Sequence, residues 1–307
     1  PDGIADRYRH EGIDGVVGLG GGSCLDTAKV VAVMLAHGGK LREYLGPDKV
    51  PGPGLPSVMV PTTSGTGSES TPNALFIVDG EKQAVLSRHI MPAVAIIDPE
   101  LTLSVPPHVT AASGLDALVH AVETYTSLGA TPVTEMYSLR AVELIAASIR
   151  SAVWRGNDLA ARSDMALASY LAGVAIANAG TGAVHALAYP LGGRYRVSHG
   201  VSNALMFPYV SEWNIPADLP RFATLAKAVG EQVEGLPLRD AALRFLRGIE
   251  AIIGDVGVPR SLDELGIARS ELPVLVEGAA KQTRLLKNNP RVLSKDDIAA
   301  IYTKAWR

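Results

Sequence analysis

The chain has a single cysteine, Cys24, which rules out an internal disulfide and fits a reducing cytoplasm. It has no basic block, and its net charge of −3 recommends neither nucleic acid nor an anionic membrane as a partner. Long apolar runs are missing too: Val30–Ala36 is typical, and a spanning helix takes about 20 such residues. The first ten residues, PDGIADRYRH, lack the apolar centre of a secretory signal. No internal repeat or low-complexity linker divides the chain, so its parts are expected to share an interface rather than swing on a tether. What is present is a globular composition, 47% hydrophobic and 19% charged over 307 residues, enough for one large or two ordinary domains. A small molecule is the expected ligand.

The texture changes once along the chain. Up to residue 106, short apolar runs alternate with turns and one amphipathic helix, an α/β pattern. The strand candidates are Gly15–Gly20, Pro56–Thr62, Asn73–Asp79 and Ala93–Pro99. Beyond Pro106 and Pro107, Ala and Leu recur at helical spacing through Val109–Thr126, Thr134–Trp154 and Leu159–Asn178, with shorter helices to the end. Residues 1–106 thus read as an α/β half and 107–307 as an all-helical half, with a ligand in the crevice between them.

Directly after the first strand comes GGGSCLDTAK, Gly20–Lys29, which opens a helix running to about His37. Glycines let backbone N–H groups approach an anion, and a helix N-terminus adds partial positive charge, so the segment suits a phosphate. Ser23 is the expected helix cap, with Asp26 as its capping-box partner. The same residues also describe an ordinary tight turn with no ligand. This is neither a GxGxxG fingerprint nor a Walker loop. A second segment, PTTSGTGSE (Pro61–Glu69), follows the second strand and concentrates small hydroxyl and glycine residues. Ligands gather at the carboxyl ends of parallel strands, so the two loops reinforce each other.

The helix GLDALVHAVE, Gly114–Glu123, carries Asp116 and His120 four residues apart, on one face. That spacing describes a partly buried salt bridge or two ligands of one ion. His185 and His199 follow in segments that otherwise look buried, while His10, His37, His89 and His108 lie in polar or turn-like contexts. One carboxylate and three imidazoles suit Fe²⁺ or Zn²⁺ and are poor for Mg²⁺ or Ca²⁺, which take mostly oxygen. Arg194 and Arg196 lead into His199 and are candidates for holding an anionic group, or are simply solvated loop charges.

Taken in order, GGGSCLDTAK, PTTSGTGSE, IIDPELTLSVP, GLDALVHAVETY, HALAYPLG, SHGVSNALMFP and NNPRVLS give the chain a resemblance to the iron-containing (group III) alcohol dehydrogenase family over essentially its whole length. The resemblance implies a Rossmann-like cofactor domain, an all-α metal domain and a dehydroquinate synthase-like architecture. It implies Asp116, His120, His185 and His199 as metal ligands. Gly21, Gly22 and Ser23 would hold the pyrophosphate of NAD or NADP, with Asp26, Thr62, Thr63, Asn73, Lys82 and Leu101 along the rest of the cofactor. The implied reaction is reversible hydride transfer between a primary or short-chain alcohol and NAD(P), in a cytoplasmic homo-oligomer such as a dimer. Two features depart from the family pattern. Tyr189 stands one turn after His185, where many members carry a histidine near the nicotinamide, and a phenol with a reference pKa of about 10 is a poor proton carrier. The chain also starts just before what the family counts as an internal strand, so two βα units, roughly 60 to 90 residues, are expected to be missing. A dehydroquinate synthase-type lyase and a non-catalytic metal-binding homologue are the alternatives.

Overall fold

The computed structural model describes residues 1–306. The α/β half contains helices α1 (Asp2–Tyr8), α2 (Gly22–His37) and α3 (Leu41–Tyr44) and strands β1 (Val16–Gly20), β2 (Gly46–Pro47), β3 (Ser57–Pro61), β4 (Asn73–Val78), β5 (Glu81–Leu86) and β6 (Val94–Ala95). The helical half follows as α4 (Pro107–Thr126), α5 (Pro132–Trp154), α6 (Leu159–Ala179), α7 (Ala183–Tyr195), α8 (His199–Asn214), α9 (Leu219–Ala228), α10 (Leu238–Asp255), α11 (Leu272–Ala280), α12 (Thr283–Leu286) and α13 (Lys295–Ala305). No single helix among the described residues is long and apolar enough to cross a membrane.

The strands form two small sheets. One is parallel, in the order β1-β3-β6, and places the loops after β1 and β3 side by side at the strands' carboxyl ends. The other is β2-β5-β4. Its strand β5 was not among those expected from the pattern, yet β4 and β5 are an antiparallel hairpin closed by Asp79–Gly80. Both turn residues have positive φ, 54° and 79°, the type I′ geometry that Asp-Gly favours. The expected strand Ala93–Pro99 shrinks to Val94–Ala95, flanked by two further backbone bonds to β3, from Ala93 N–H to the Ser57 carbonyl and from Ile96 N–H to the Met59 carbonyl. Pro99 has no N–H to continue the ladder and instead opens a short 3₁₀ turn. Val17, Leu19, Val94 and Ile96 leave an apolar strip of this sheet exposed.

The main core lies in the helical half, where α4 is packed by α5, α6 and α8. Helix starts are set by the sequence: Thr131 and Thr134 form a reciprocal cap before α5, and Asp158 caps α6 by accepting from Ala161 N–H.

Ser23 does not cap α2, contrary to expectation. Gly21 stands at the N-cap, and no side chain accepts from the helix's first N–H groups. Asp26 is no capping-box partner either. Its Oδ1 accepts from Ser68 Oγ at 2.5 Å and its Oδ2 from Leu75 N–H at 2.8 Å. One turn later the Lys29 ammonium, almost wholly buried, donates to the carbonyls of Ser68 (2.8 Å), Thr71 (3.2 Å) and Asn73. The two side chains on α2 therefore fasten the loop after β3 and the start of β4.

Buried beside them, Glu69 has its carboxyl pushed up from 4.5 to about 7, because burial penalises the charged form. The folded state thus holds a proton that the unfolded state releases between these values. Stability is fully present below about 4.5 and falls by roughly 3 kcal/mol as pH rises through 7. Glu69→Gln is expected to flatten this part of the profile in urea unfolding at pH 5, 6, 7 and 8. An identical slope in the variant would show that Glu69 is not its source.

Candidate metal and cofactor site

Helix α4 brings Asp116 and His120 to one buried face, α7 supplies His185 from its first turn, and α8 starts at His199. A three-residue turn, with Arg196 at φ 56°, separates α7 from α8, so His199 is the first residue of a helix rather than part of a loop. Gly200 allows the approach: a Cβ there would lie 2.0 Å from the Ala112 carbonyl oxygen of α4. Any side chain would push His199 away from Asp116. The result is one ligand atom from each of Asp116, His120, His185 and His199, all within 4.8 Å of one another. Asp116, His120 and His185 are buried, and His199 keeps 30% of its side chain exposed toward the cleft. Of the other histidines, His10, His37 and His108 are exposed and His89 is half-buried.

The imidazoles are oriented by partners on their far sides. His185 Nδ1 donates to Glu123 Oε2 at 2.5 Å, and His120 Nδ1 donates to the Gly65 carbonyl at 3.2 Å. Each ring is thereby left with Nε2 as a lone pair facing the cluster. Glu123 acts twice, because its Oε1 accepts from the Val184 N–H at 2.6 Å in the first turn of α7. Asn203, one turn after His199, donates its Nδ2 to Asp116 Oδ1 at 2.6 Å and stands 3.1 and 3.2 Å from Nε2 of His185 and His199. Neither Glu123 nor Asn203 was singled out from the sequence, although Asp116, His120 and Glu123 form an i, i+4, i+7 polar stripe through a buried helix.

Electrostatics keeps the cluster ready for a cation. Burial pushes the His120 imidazole down to about 4 and that of His199 well below its ordinary value, so both are neutral at pH 7. For Asp116, burial alone would raise the pKa, but the three imidazoles and the Asn203 amide outweigh it and bring the carboxyl to about 2. Tyr189 lies 5.9 Å from the His199 ring, and burial pushes its phenol up to about 12. Lys82 sits over the Tyr189 ring at 4.8 Å, its ammonium pushed down to about 8 by burial.

The cluster opens onto a cleft of about 790 Å³, lined by Gly22, Ser23, Asp26, Asn73, Lys82, Asp116, His120, His185, Tyr189 and His199. These ten come from both halves of the chain. Gly21, Thr62 and Thr63 stand just behind: Thr62 N–H donates to the Gly20 carbonyl, and Thr63 packs beside Gly21. Leu101 is not brought to the cleft; it lies in the 3₁₀ turn Pro99–Thr102 and is exposed. Arg194 and Arg196 are not there either. Arg194 pairs with Glu271 at 3.2 Å and lines a neighbouring cavity of about 600 Å³, and Arg196 is exposed.

Two family models match this chain, that of iron-containing alcohol dehydrogenase over residues 2–99 and the C-terminal model of the Fe-containing alcohol dehydrogenase family over residues 110–306. The chain belongs to the iron-containing alcohol dehydrogenase family. It is 45% identical over 296 residues to the long-chain-alcohol dehydrogenase 1 of Geobacillus thermodenitrificans, covering 95% of this chain and 75% of that protein. It is 39% identical over 302 residues to the NAD-dependent methanol dehydrogenase of Bacillus methanolicus, covering 98% of this chain and 79% of that protein. Among solved structures, a 1,3-propanediol oxidoreductase superposes with a TM-score of 0.95 at 39% identity, over 98% of this chain and 79% of that one.

The residues present fit both groups that an iron-containing alcohol dehydrogenase uses. Lone pairs of one carboxylate and three imidazoles converge with only an amide N–H aimed at them, and Asn203 Oδ1 is buried without a partner among the described residues. A cation completes such a cluster. At the other end of the cleft, the first N–H groups of α2 have no side-chain acceptor, and a Cβ on Gly22 would lie 2.6 Å from Thr66 Cγ2. A glycine cradle with free helix N–H groups is the geometry a pyrophosphate takes.

Proposed function

We propose that this chain oxidises a primary or short-chain alcohol reversibly to its aldehyde or ketone with NAD or NADP. Asp116, His120, His185 and His199 would hold Fe²⁺ or Zn²⁺, and Gly21, Gly22, Ser23, Asp26, Thr62, Thr63, Asn73 and Lys82 the nicotinamide cofactor, without Leu101, which stands outside the cleft. The observation that carries this reading is one cleft with a four-donor cluster at one end and an uncapped helix N-terminus at the other. Residues 1–106 would serve as the cofactor half and 107–307 as the metal half. The cytoplasm is the proposed location. Exposed Leu128, Val133 and Met136, on and just before α5, support a homo-oligomer, with a dimer as the simplest form.

When bound, the metal supplies the Lewis acidity that makes an alcohol proton labile, and the nicotinamide supplies the hydride acceptor. Everything else is done by the chain. Glu123 and the Gly65 carbonyl hold two imidazoles in the ligating tautomer, and Asp116 contributes the negative charge of the donor set. The cleft between the halves sets substrate and cofactor at reacting distance. Tyr189 keeps its proton at any physiological pH and so acts as a hydrogen-bond donor at the wall. The alcohol proton therefore leaves through water or a cofactor hydroxyl.

Protein purified without added metal is expected to contain Fe²⁺ or Zn²⁺ at about one equivalent and to reduce NAD or NADP with primary alcohols. Chelation should abolish the activity and metal return should restore it. Turnover with no net change in the cofactor would point to a lyase instead, and tight metal with no nicotinamide binding to a non-catalytic homologue.

A further inference from the structure

The metal end of the cleft is bordered by cations that no acid among the described residues answers. Arg284 on α12 and Lys287 just beyond it line the same cavity as Tyr189 and His199. No side chain among the described residues forms an ion pair or hydrogen bond with either of them. The two acids that line this cavity are both engaged elsewhere. Asp26 is tied to Ser68, Leu75 and Lys29, and Asp116 faces the histidine cluster. Helix α12 packs on α7, the helix that carries His185 and Tyr189, and the Arg284 charge reaches the Tyr189 phenol and opposes the upward push of burial. The arginine thus belongs to the wall beside the reacting centre and not to the glycine cradle on the opposite half.

We propose that Arg284 recognises an oxyanion carried by the substrate, so that the preferred substrates are small aldehydes or alcohols bearing a carboxylate or sulfonate. This rests on the dehydrogenase reading above and narrows it. A guanidinium offers two parallel N–H donors to such a group, and an arginine with no side-chain partner among the described residues keeps its whole fork for a ligand. Lys287 adds charge to the same wall without fixing geometry. The nicotinamide cofactor is the competing oxyanion, since its phosphates enter the same cleft. Substrate and cofactor roles separate experimentally.

The test compares 4-oxobutanoate with butanal, which match in chain length and differ in charge, as substrates for the NADH- or NADPH-dependent reaction of the metal-loaded protein. Arg284 is exposed, so Arg284→Gln should fold normally. The ratio of kcat/KM values, anionic over neutral, is expected to fall about 10- to 100-fold in Arg284→Gln, mostly through KM, and to recover in part in Arg284→Lys. The NADH dissociation constant, read by fluorescence titration without substrate, should stay within about threefold. An unchanged ratio would overturn the proposal. So would a loss of NADH affinity with equal losses on both aldehydes, which would assign Arg284 to the cofactor phosphates. If wild-type protein reduces butanal well and 4-oxobutanoate poorly, the dehydrogenase reading stands and the oxyanion site fails. If it reduces neither, both fail.

Discussion

Protein carrying His199→Ala is expected to lose its metal and all measurable turnover while keeping its fold. His199 is the informative ligand to remove. It is the first residue of α8 and is 30% exposed, so truncation opens space toward the cleft and leaves no sealed cavity. His185→Ala would confuse the outcome, because it strips the Glu123 carboxylate of its imidazole donor inside the core and adds a folding cost. Loss of an outer hydrogen-bond partner of a metal ligand already costs about 10- to 100-fold in affinity or activity, so loss of a ligand should cost more than about 100-fold. Metal content by mass spectrometry, cofactor reduction rates and thermal unfolding measured on one preparation separate the possibilities. A modest drop in Tm with full metal occupancy and full turnover would make His199 an ordinary polar residue at a cleft and would break the four-ligand assignment.

The parts of this site that the sequence revealed share a property: each breaks the pattern of its own segment. Asp116 and His120 interrupt an apolar helix, His185 and His199 interrupt buried-looking stretches, and Gly20–Gly22 end a strand abruptly. The missed parts do not stand out locally. Glu123 closes the quoted helix and reads as its ordinary charged end until α7 delivers His185 Nδ1 to it from 62 positions along the chain. Asn203 is one polar residue in SHGVSNALMFP, and only the pairing of α8 with α4 gives it Asp116. Arg284 lies far along the chain from His120, His185 and His199, in a short helix with no pattern of its own.

Strand β5 failed to register for a different reason. Its sequence EKQAVL begins with charge and makes a poor hydrophobic alternation, so the segment lacks the period that marks β4. The signal that was present is the Asp-Gly pair between FIV and EKQ, which requires two positive φ values and closes a two-residue hairpin. The cap assigned to Ser23 failed because the helix begins earlier: Gly21 is the N-cap, and Ser23 lies inside the first turn and lines the cleft. A serine that capped α2 would occupy N–H groups that the cleft keeps free.

The largest effect on stability is expected at Lys29, on α2 in the α/β half. Its ammonium is 1% exposed, donates to three backbone carbonyls of the segment from Ser68 to Asn73, and stands 3.5 Å from Asp26 Oδ1. Lys29→Met fits the volume but leaves those carbonyls without a donor and Asp26 without its cation. Breaking a buried pair in this way costs about 3–5 kcal/mol, which for a chain of this size lowers Tm by roughly 10 °C. A functional loss should follow by a defined route. Ser68, Thr71 and Asn73 line the cleft, so freeing this segment should weaken NAD(P) binding while the metal ligands, all in the helical half, keep their occupancy. Calorimetric titration of cofactor into the metal-loaded variant, beside its thermal unfolding, checks both statements. Asp26→Asn keeps one oxygen to accept from Leu75 N–H, places its NH2 toward Ser68 Oγ and removes the charge facing Lys29, and should show the same pattern at smaller size. Unchanged cofactor affinity in a Lys29→Met protein with a lowered Tm would mean that the clamp stabilises the α/β half without positioning the cofactor. An unchanged Tm would mean that the buried ammonium is replaceable by apolar packing, as some buried ion pairs are.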